Sequence, residues 1–168
     1  SEIKRRVPTK RARTRAEDHA GTHMLTLFGS SGTGKTTLAA AIMNFIAESP
    51  SPAHRALARG ARFMVVYDLA EARSQHGLGE GEAPLVVVAK TASLLVLDDV
   101  GKEPARRRDV VAEVIHARHS AGRPTVVTTE LTQAAIARLY TTDESSGVYL
   151  QRRLFDPPAF VIDMEQVQ

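Results

Sequence analysis

Eight residues, Gly29-Ser30-Ser31-Gly32-Thr33-Gly34-Lys35-Thr36, satisfy the spacing G-x-x-x-x-G-K-[ST]. Glycines at these intervals let the backbone curl so that successive amide N–H groups face one concavity, and a helix that starts there adds the positive end of its dipole. Such a nest suits a polyphosphate. Lys35 supplies a point charge for the terminal phosphates, and the Thr36 hydroxyl suits a Mg²⁺ ion that bridges them. The nucleotide-binding candidates are therefore Gly29, Ser30, Ser31, Gly32, Thr33, Gly34, Lys35, Thr36 and the adjoining Thr37. A second group of chemistry-bearing residues closes the stretch LLVLDDVG, where Asp98 and Asp99 follow an apolar run. Asp98 is placed to hold Mg²⁺ together with Thr36, and Asp99 to orient or deprotonate an attacking water, which a hydrolase requires.

The elements around these residues determine whether they can meet. Met24 to Phe28 is a short apolar run that ends on the glycines and predicts a buried strand. Thr33 to Ala47 predicts a helix, with Leu38, Ile42, Phe45 and Ile46 spaced for one inward face, and Ser49-Pro50-Ser51-Pro52 ends it. A second strand is expected over 62–67, then a helix from Leu69 to Ser74, a glycine-rich loop HGLGEGEAP, and a helix near Leu85 to Lys90. Leu94 to Leu97 is the third strand. After DDVGKEP comes a helix from about Ala105 to His119 that turns Val110, Val111, Val114 and Ile115 inward. The fourth strand is Thr125 to Thr128, a helix spans about Thr132 to Tyr140, and a polar loop TTDESSG leads to a short helix Val148 to Phe155. Ala159 to Asp163 makes the fifth strand. Strands separated by helical crossovers predict an α/β fold, a five-stranded parallel sheet flanked by helices. Ligands of such sheets bind at the carboxyl edge, where both candidate groups lie.

Composition narrows the class. The chain has 168 residues, 43% hydrophobic and 24% charged, and contains no Cys, which excludes a disulfide frame and a Cys-based zinc site. Its six His show no metal-ligand spacing. No apolar run approaches the length of a membrane span, so a soluble, cytoplasmic protein without membrane contact is expected. The formal charge of +3 is uneven, because residues 1 to 15 carry seven Lys or Arg against Glu2, leaving −3 for the rest. Residues 1–20 are expected to form a basic, flexible tail and residues 21–168 a single core domain. The tail fits either a polyanion such as nucleic acid or a solubilising segment.

The motifs together resemble the AAA+ ATPases, a branch of the P-loop NTPases, and within them the DnaC/IstB-like group of helicase loaders and transposition helpers. The resemblance covers most of residues 24 to 163 and rests on GSSGTGKTTLAAAI, SLLVLDDVGKEP, RPTVVTTE and VYLQRRLFD. It implies an ATPase using ATP and Mg²⁺, with Lys35 at the phosphates, Asp98 in the metal-holding Walker B position and Asp99 at the water. It also implies a homo-oligomer when ATP is bound, the site being completed by a neighbour's arginine, Arg153 in the Arg153-Leu154 pair, with Arg152 as the alternative. Glu130 stands where relatives commonly carry Asn to position the water, with Thr128 and Thr129 as substitutes. A carboxylate there repels the γ-phosphate and points to slow turnover. A helical lid is expected to be absent or minimal.

One further cluster bears on partners. Arg106-Arg107-Arg108 opens a helix, where positive charge is unfavourable, so it fits either DNA contact or a solvated run beside Asp109 and Glu103. At 5% aromatic residues, any DNA contact should run through phosphates and depend on salt. The expected function is an ATP-dependent assembly factor acting on DNA with a protein partner such as a helicase or transposase. The alternatives are a nucleotide-dependent adaptor with little turnover and, third, a small metabolite kinase.

Overall fold

The computed structural model describes residues 24–77, 79–141 and 146–166; the basic tail expected over 1–20 lies outside the described residues, as do 142–145 of the polar loop. Five strands, β1 (Met24–Phe28), β2 (Arg62–Val65), β3 (Leu95–Val100), β4 (Thr125–Thr129) and β5 (Phe160–Asp163), form one sheet in the order β2-β3-β4-β1-β5. Every neighbouring pair is parallel. Among the described residues the connections carry seven α-helices: α1 (Lys35–Glu48), α2 (Pro52–Arg59), α3 (Val66–Gln75), α4 (Pro84–Thr91), α5 (Arg108–Ser120), α6 (Gln133–Leu139) and α7 (Ser146–Phe155). Parallel neighbours cannot be joined by hairpins, so each crossover must lay helix on a sheet face.

Alternation along the strands divides the core into two layers. Leu95 and Leu97 of β3 and Val127 of β4 join Leu69, Val86, Val114, Ile115, Ile136 and Leu154 beneath α3 to α7. Val96 of β3, Val126 of β4 and Leu27 of β1 face the other way, against Ala39, Leu38, Met43 and Ile46 of α1. The inward set Val110, Val111, Val114 and Ile115 of α5 is fully buried, as the helical spacing predicts. Phe45 is a correction: it is 68% exposed and turns to His54 of α2, ring centroids 6.0 Å apart, while Met43 takes its place inward.

Other boundaries differ for physical reasons. The second strand stops at Val65, because Val66 and Tyr67 already belong to α3 and Val66 is buried beneath it. The third strand continues through the acidic pair to Val100, and the fourth through Thr129. Ala105–Arg107 is a 3₁₀ turn and α5 proper begins at Arg108. The helix α2 has no counterpart in the sequence expectation. Its Pro52 sits in the first turn, where the missing N–H costs nothing, so the Ser-Pro repeat that ends α1 before Pro50 also starts α2 at Pro52.

Candidate nucleotide-binding site

The strand order brings the chemistry together. β4 lies between β1 and β3, so the carboxyl ends of three adjacent strands deliver the glycine loop, Thr128 to Glu130, and the acidic pair to one edge. Gly32 and Gly34 adopt φ of 83° and 86°, the left-handed region that side chains resist, and Gly34 caps α1 directly. Thr33 Oγ1 donates to the Ser30 carbonyl at 2.9 Å and Gly29 N–H to the Thr129 carbonyl at 3.3 Å, so both serve the shape of the loop. Lys35 is buried, and its ammonium donates to the carbonyls of Gly29 (2.9 Å) and Ser30 (2.7 Å). Ser30 N–H in turn donates to Glu165 Oε1 at 2.6 Å, and the hydrogen bonds from the Ser30 side chain and then from this N–H hold the Glu165 carboxyl below its ordinary range.

Thr36 Oγ1, 62 positions away in sequence from Asp98, donates to its carboxylate at 3.0 Å. Asp98 is 5% exposed and also accepts from Thr128 Oγ1 at 2.5 Å, while that same hydroxyl accepts from Asp99 N–H at 2.9 Å. One buried threonine thus fixes both members of the acidic pair. Thr129 is committed elsewhere, donating to the Val100 carbonyl at 2.7 Å. The oxygens of Thr36 and Asp98, facing each other across the loop and the sheet edge, are the hard ligands Mg²⁺ takes, usually beside phosphate oxygens and water. They fit that ion.

A cleft of about 330 Å³ opens here, lined by Ser31, Gly32, Gly34, Lys35, Thr36, Thr37, Asp99, Lys102 and Glu130. Asp99 reaches it through an irregular backbone. β3 carries one extra residue against β4, since Leu97 pairs with Val127 but Val100 with Thr129, and Asp99 takes φ 62°. A tight turn follows, Lys102 N–H donating to the Asp99 carbonyl at 3.0 Å. Lys102 Nζ then lies 3.0 Å from Asp99 Oδ1 and 3.0 Å from Glu130 Oε1. The bond to Lys102 holds the Glu130 carboxyl below its ordinary range, and Glu130 with Asp99 raises the Lys102 ammonium. Sequence reasoning passed over Lys102; its only signal was a basic residue three positions after Asp99.

Arg153 stands apart from this cleft. It lies on α7 in a groove with Ala112, Glu113, His116, Tyr149 and Leu150, its guanidinium 5.9 Å from the Tyr149 ring centre. Arg152 and Arg153 also share a groove with His119 and Asp156. Of the other basic cluster, Arg107 Nε donates to Ser74 Oγ at 2.9 Å, while Arg108 Nε is buried without a hydrogen-bond partner among the described residues. A larger cleft, about 660 Å³, lies between α3 and α4 near Arg73, His76 and Arg107 and contains none of the residues expected to bind nucleotide or metal.

Sheet order, glycine loop and acidic strand end together define a P-loop protein with an AAA+ core. A family model described as magnesium chelatase, subunit ChlI, matches residues 2–101, more than half of the chain, and the chain belongs to that family. Among solved structures, DnaI is similar with 24% identity and a TM-score of 0.66, over 91% of this chain and 82% of that one. The DnaC helicase loader is similar with 25% identity and a TM-score of 0.61, over 90% of this chain and 87% of that one. AMPPCP-bound DnaA from Aquifex aeolicus is 20% identical with a TM-score of 0.56, over 92% of this chain but only 45% of that one. DnaI and the DnaC helicase loader fit the DnaC/IstB-like group of AAA+ proteins. No curated protein matches the chain. Among the described residues no helix is long and apolar enough to cross a membrane.

Proposed function

We propose that the chain is an ATP-binding and ATP-hydrolysing assembly factor acting on DNA, of the helicase-loader or transposition-helper type. The observation that carries this reading is the contact of Thr36 with Asp98, because it joins the phosphate loop to the acidic strand end beside Lys35. Gly29 to Thr37 would cradle the phosphates, and Lys35 would exchange its loop carbonyls for phosphate oxygens. Thr36 and Asp98 would hold Mg²⁺, which when bound neutralises charge on the phosphates. Asp99, half-exposed on the cleft wall, would orient the attacking water or accept its proton. Arg153 lies outside its own chain's cleft, which suits an arginine supplied to a neighbouring subunit; its fixed charged fork would then stabilise the transferring phosphoryl oxygens. Residues 1–20 would form a basic tail ahead of the core, and contacts to DNA would run through phosphates. A protein partner such as a helicase or transposase completes the reading.

Glu130 favours a second reading, an adaptor that holds ATP as a clamp with little turnover, since on the cleft wall it stands where the resembled group commonly carries an Asn that positions the attacking water. ATP hydrolysis measured against protein concentration, with and without DNA, separates the two. Activity that rises more steeply than concentration, and is partly restored when inactive Arg153→Ala and Asp99→Asn chains are mixed, supports a site shared between subunits. Tight ATP binding without turnover supports the clamp. Turnover proportional to protein and indifferent to Arg153 refutes the shared site.

A further inference from the structure

Glu130 poses a physical problem in the cleft: a carboxylate among phosphate-binding groups lowers affinity for the anion those groups are built to hold. The structure supplies a neighbour that removes it. Lys102 Nζ bridges Glu130 Oε1 and Asp99 Oδ1 at 3.0 Å each, and all three side chains line the same cleft as Lys35 and Thr36. The bridge is built into the backbone. Asp99 at φ 62° and Gly101 at φ 104° close the turn that carries Lys102 back over Asp99. The turn fixes where the Lys102 stem starts, and the two carboxylates, each 3.0 Å from the ammonium, hold its far end at the cleft.

We propose that Lys102 is a second phosphate-directed cation of this site, specific for the terminal phosphate of a triphosphate, and that Glu130 is the positioning residue that holds it. The inference rests on the nucleotide-binding reading of the glycine loop. With the cleft free of phosphate, Lys102 is shared between Asp99 and Glu130; with a triphosphate bound, its ammonium donates to a γ-phosphate oxygen while Glu130 keeps the other side. Charge along the cleft wall supports this: Lys35 and Lys102 balance Asp99 and Glu130, and without Lys102 the wall turns net negative towards an anion. On this proposal a diphosphate, which lacks the γ-phosphate, leaves Lys102 on its two carboxylates, so the pair discriminates between nucleotides. The same exchange releases the Asp99 carboxylate for water.

The test is equilibrium binding of Mg²⁺-ADP and of a Mg²⁺-bound β,γ-methylene ATP analogue to the full chain, by fluorescence or calorimetry. Lys102 is half-exposed, which screens the attraction, so Lys102→Met should weaken the triphosphate by about tenfold and ADP by less than about twofold. Lys102→Arg should keep most of the triphosphate preference. In a Glu130→Gln background, Lys102→Met should cost less than about threefold, because the carboxylate that holds the ammonium towards the γ-phosphate is already gone. Equal losses for both nucleotides, no loss for either, or the same tenfold cost in both backgrounds would overturn the proposal. Lys35→Ala separates the two levels. If it leaves both nucleotides bound, the glycine loop is not the site and the functional reading falls along with Lys102; if it abolishes both while Lys102→Met changes nothing, Lys102 alone is refuted.

Discussion

Thr128→Val isolates the contact on which the acidic pair depends. Thr128 is fully buried in β4, and its hydroxyl donates to Asp98 at 2.5 Å while accepting from Asp99 N–H at 2.9 Å. Valine has the same shape and suits a strand, so neither a cavity nor a propensity change accompanies the loss. What remains is electrostatic. A hydrogen bond to a charged group contributes about 1.5–3 kcal/mol and one between neutral partners about 1 kcal/mol; Asp98, 5% exposed, keeps Thr36 as a donor but loses Thr128, and the half-buried Asp99 N–H loses its Thr128 acceptor. The variant should lose about 2–4 kcal/mol of stability. Urea unfolding with chelator and without nucleotide measures this free of any bound ion. Thr128→Ser keeps the hydroxyl and deletes one methyl, so it should lose only about 1 kcal/mol. A loss below about 0.5 kcal/mol for Val, or an equal loss for Ser, would show that the hydroxyl does not hold the pair.

Two other expectations concern charge. Arg73 joins Glu82 and Glu113, and Lys90 joins the same two carboxylates. Burial alone would raise both carboxyls, but the hydrogen bonds from Lys90 and Arg73 outweigh it and hold them below 4.5. Their contribution is therefore present above about pH 4.5 and is lost as pH falls through the lower folded values; Arg73→Ala should cost about 1 kcal/mol at pH 7, and chemical denaturation should find the difference shrinking steadily as pH is lowered below about 4.5. Burial, then Arg153, then His116 hold the His119 imidazole below its ordinary 6.5, so Arg153→Gln should move its NMR titration midpoint upward. An unchanged midpoint would mean that the two side chains do not share their groove in solution.

The glycine loop and the acidic pair were legible because their chemistry is written in consecutive residues, and the strand-helix alternation around them fixed the parallel sheet. The inward face of α5 was legible for the same reason, four apolar residues at helical spacing. Phe45 was not, since its spacing fits the inward face of α1 and only the position of α2 shows where the ring goes. Helix α2 escaped because a Ser-Pro repeat reads as a break, although a proline in the first turn is also a start. Thr128 and Lys102 act through partners 30 and 28 positions away, and a contact at that separation depends on strand order rather than on local pattern.

The most instructive case is why two adjacent aspartates serve one cleft at all. Successive strand residues point to opposite faces, and β3 obeys this up to Asp98: Val96 packs towards α1, Leu95 and Leu97 towards the opposite layer, and Asp98 reaches Thr36 on the α1 side. Regular pairing would therefore send Asp99 into the apolar layer beside Leu97. The extra residue in β3 prevents it, and Val100, which should face α1, lies instead in the layer beneath α3 to α7. Asp99 absorbs the change at φ 62°, a region Asp and Asn tolerate better than other side-chain-bearing residues. The choice of variant at this position follows. Asp99→Ala removes the carboxylate but also strains the backbone by about 1 kcal/mol, so a loss of activity could come from a displaced turn. Asp99→Asn keeps the left-handed preference and the shape, and a loss of turnover there, with nucleotide affinity retained, reports on the carboxylate alone.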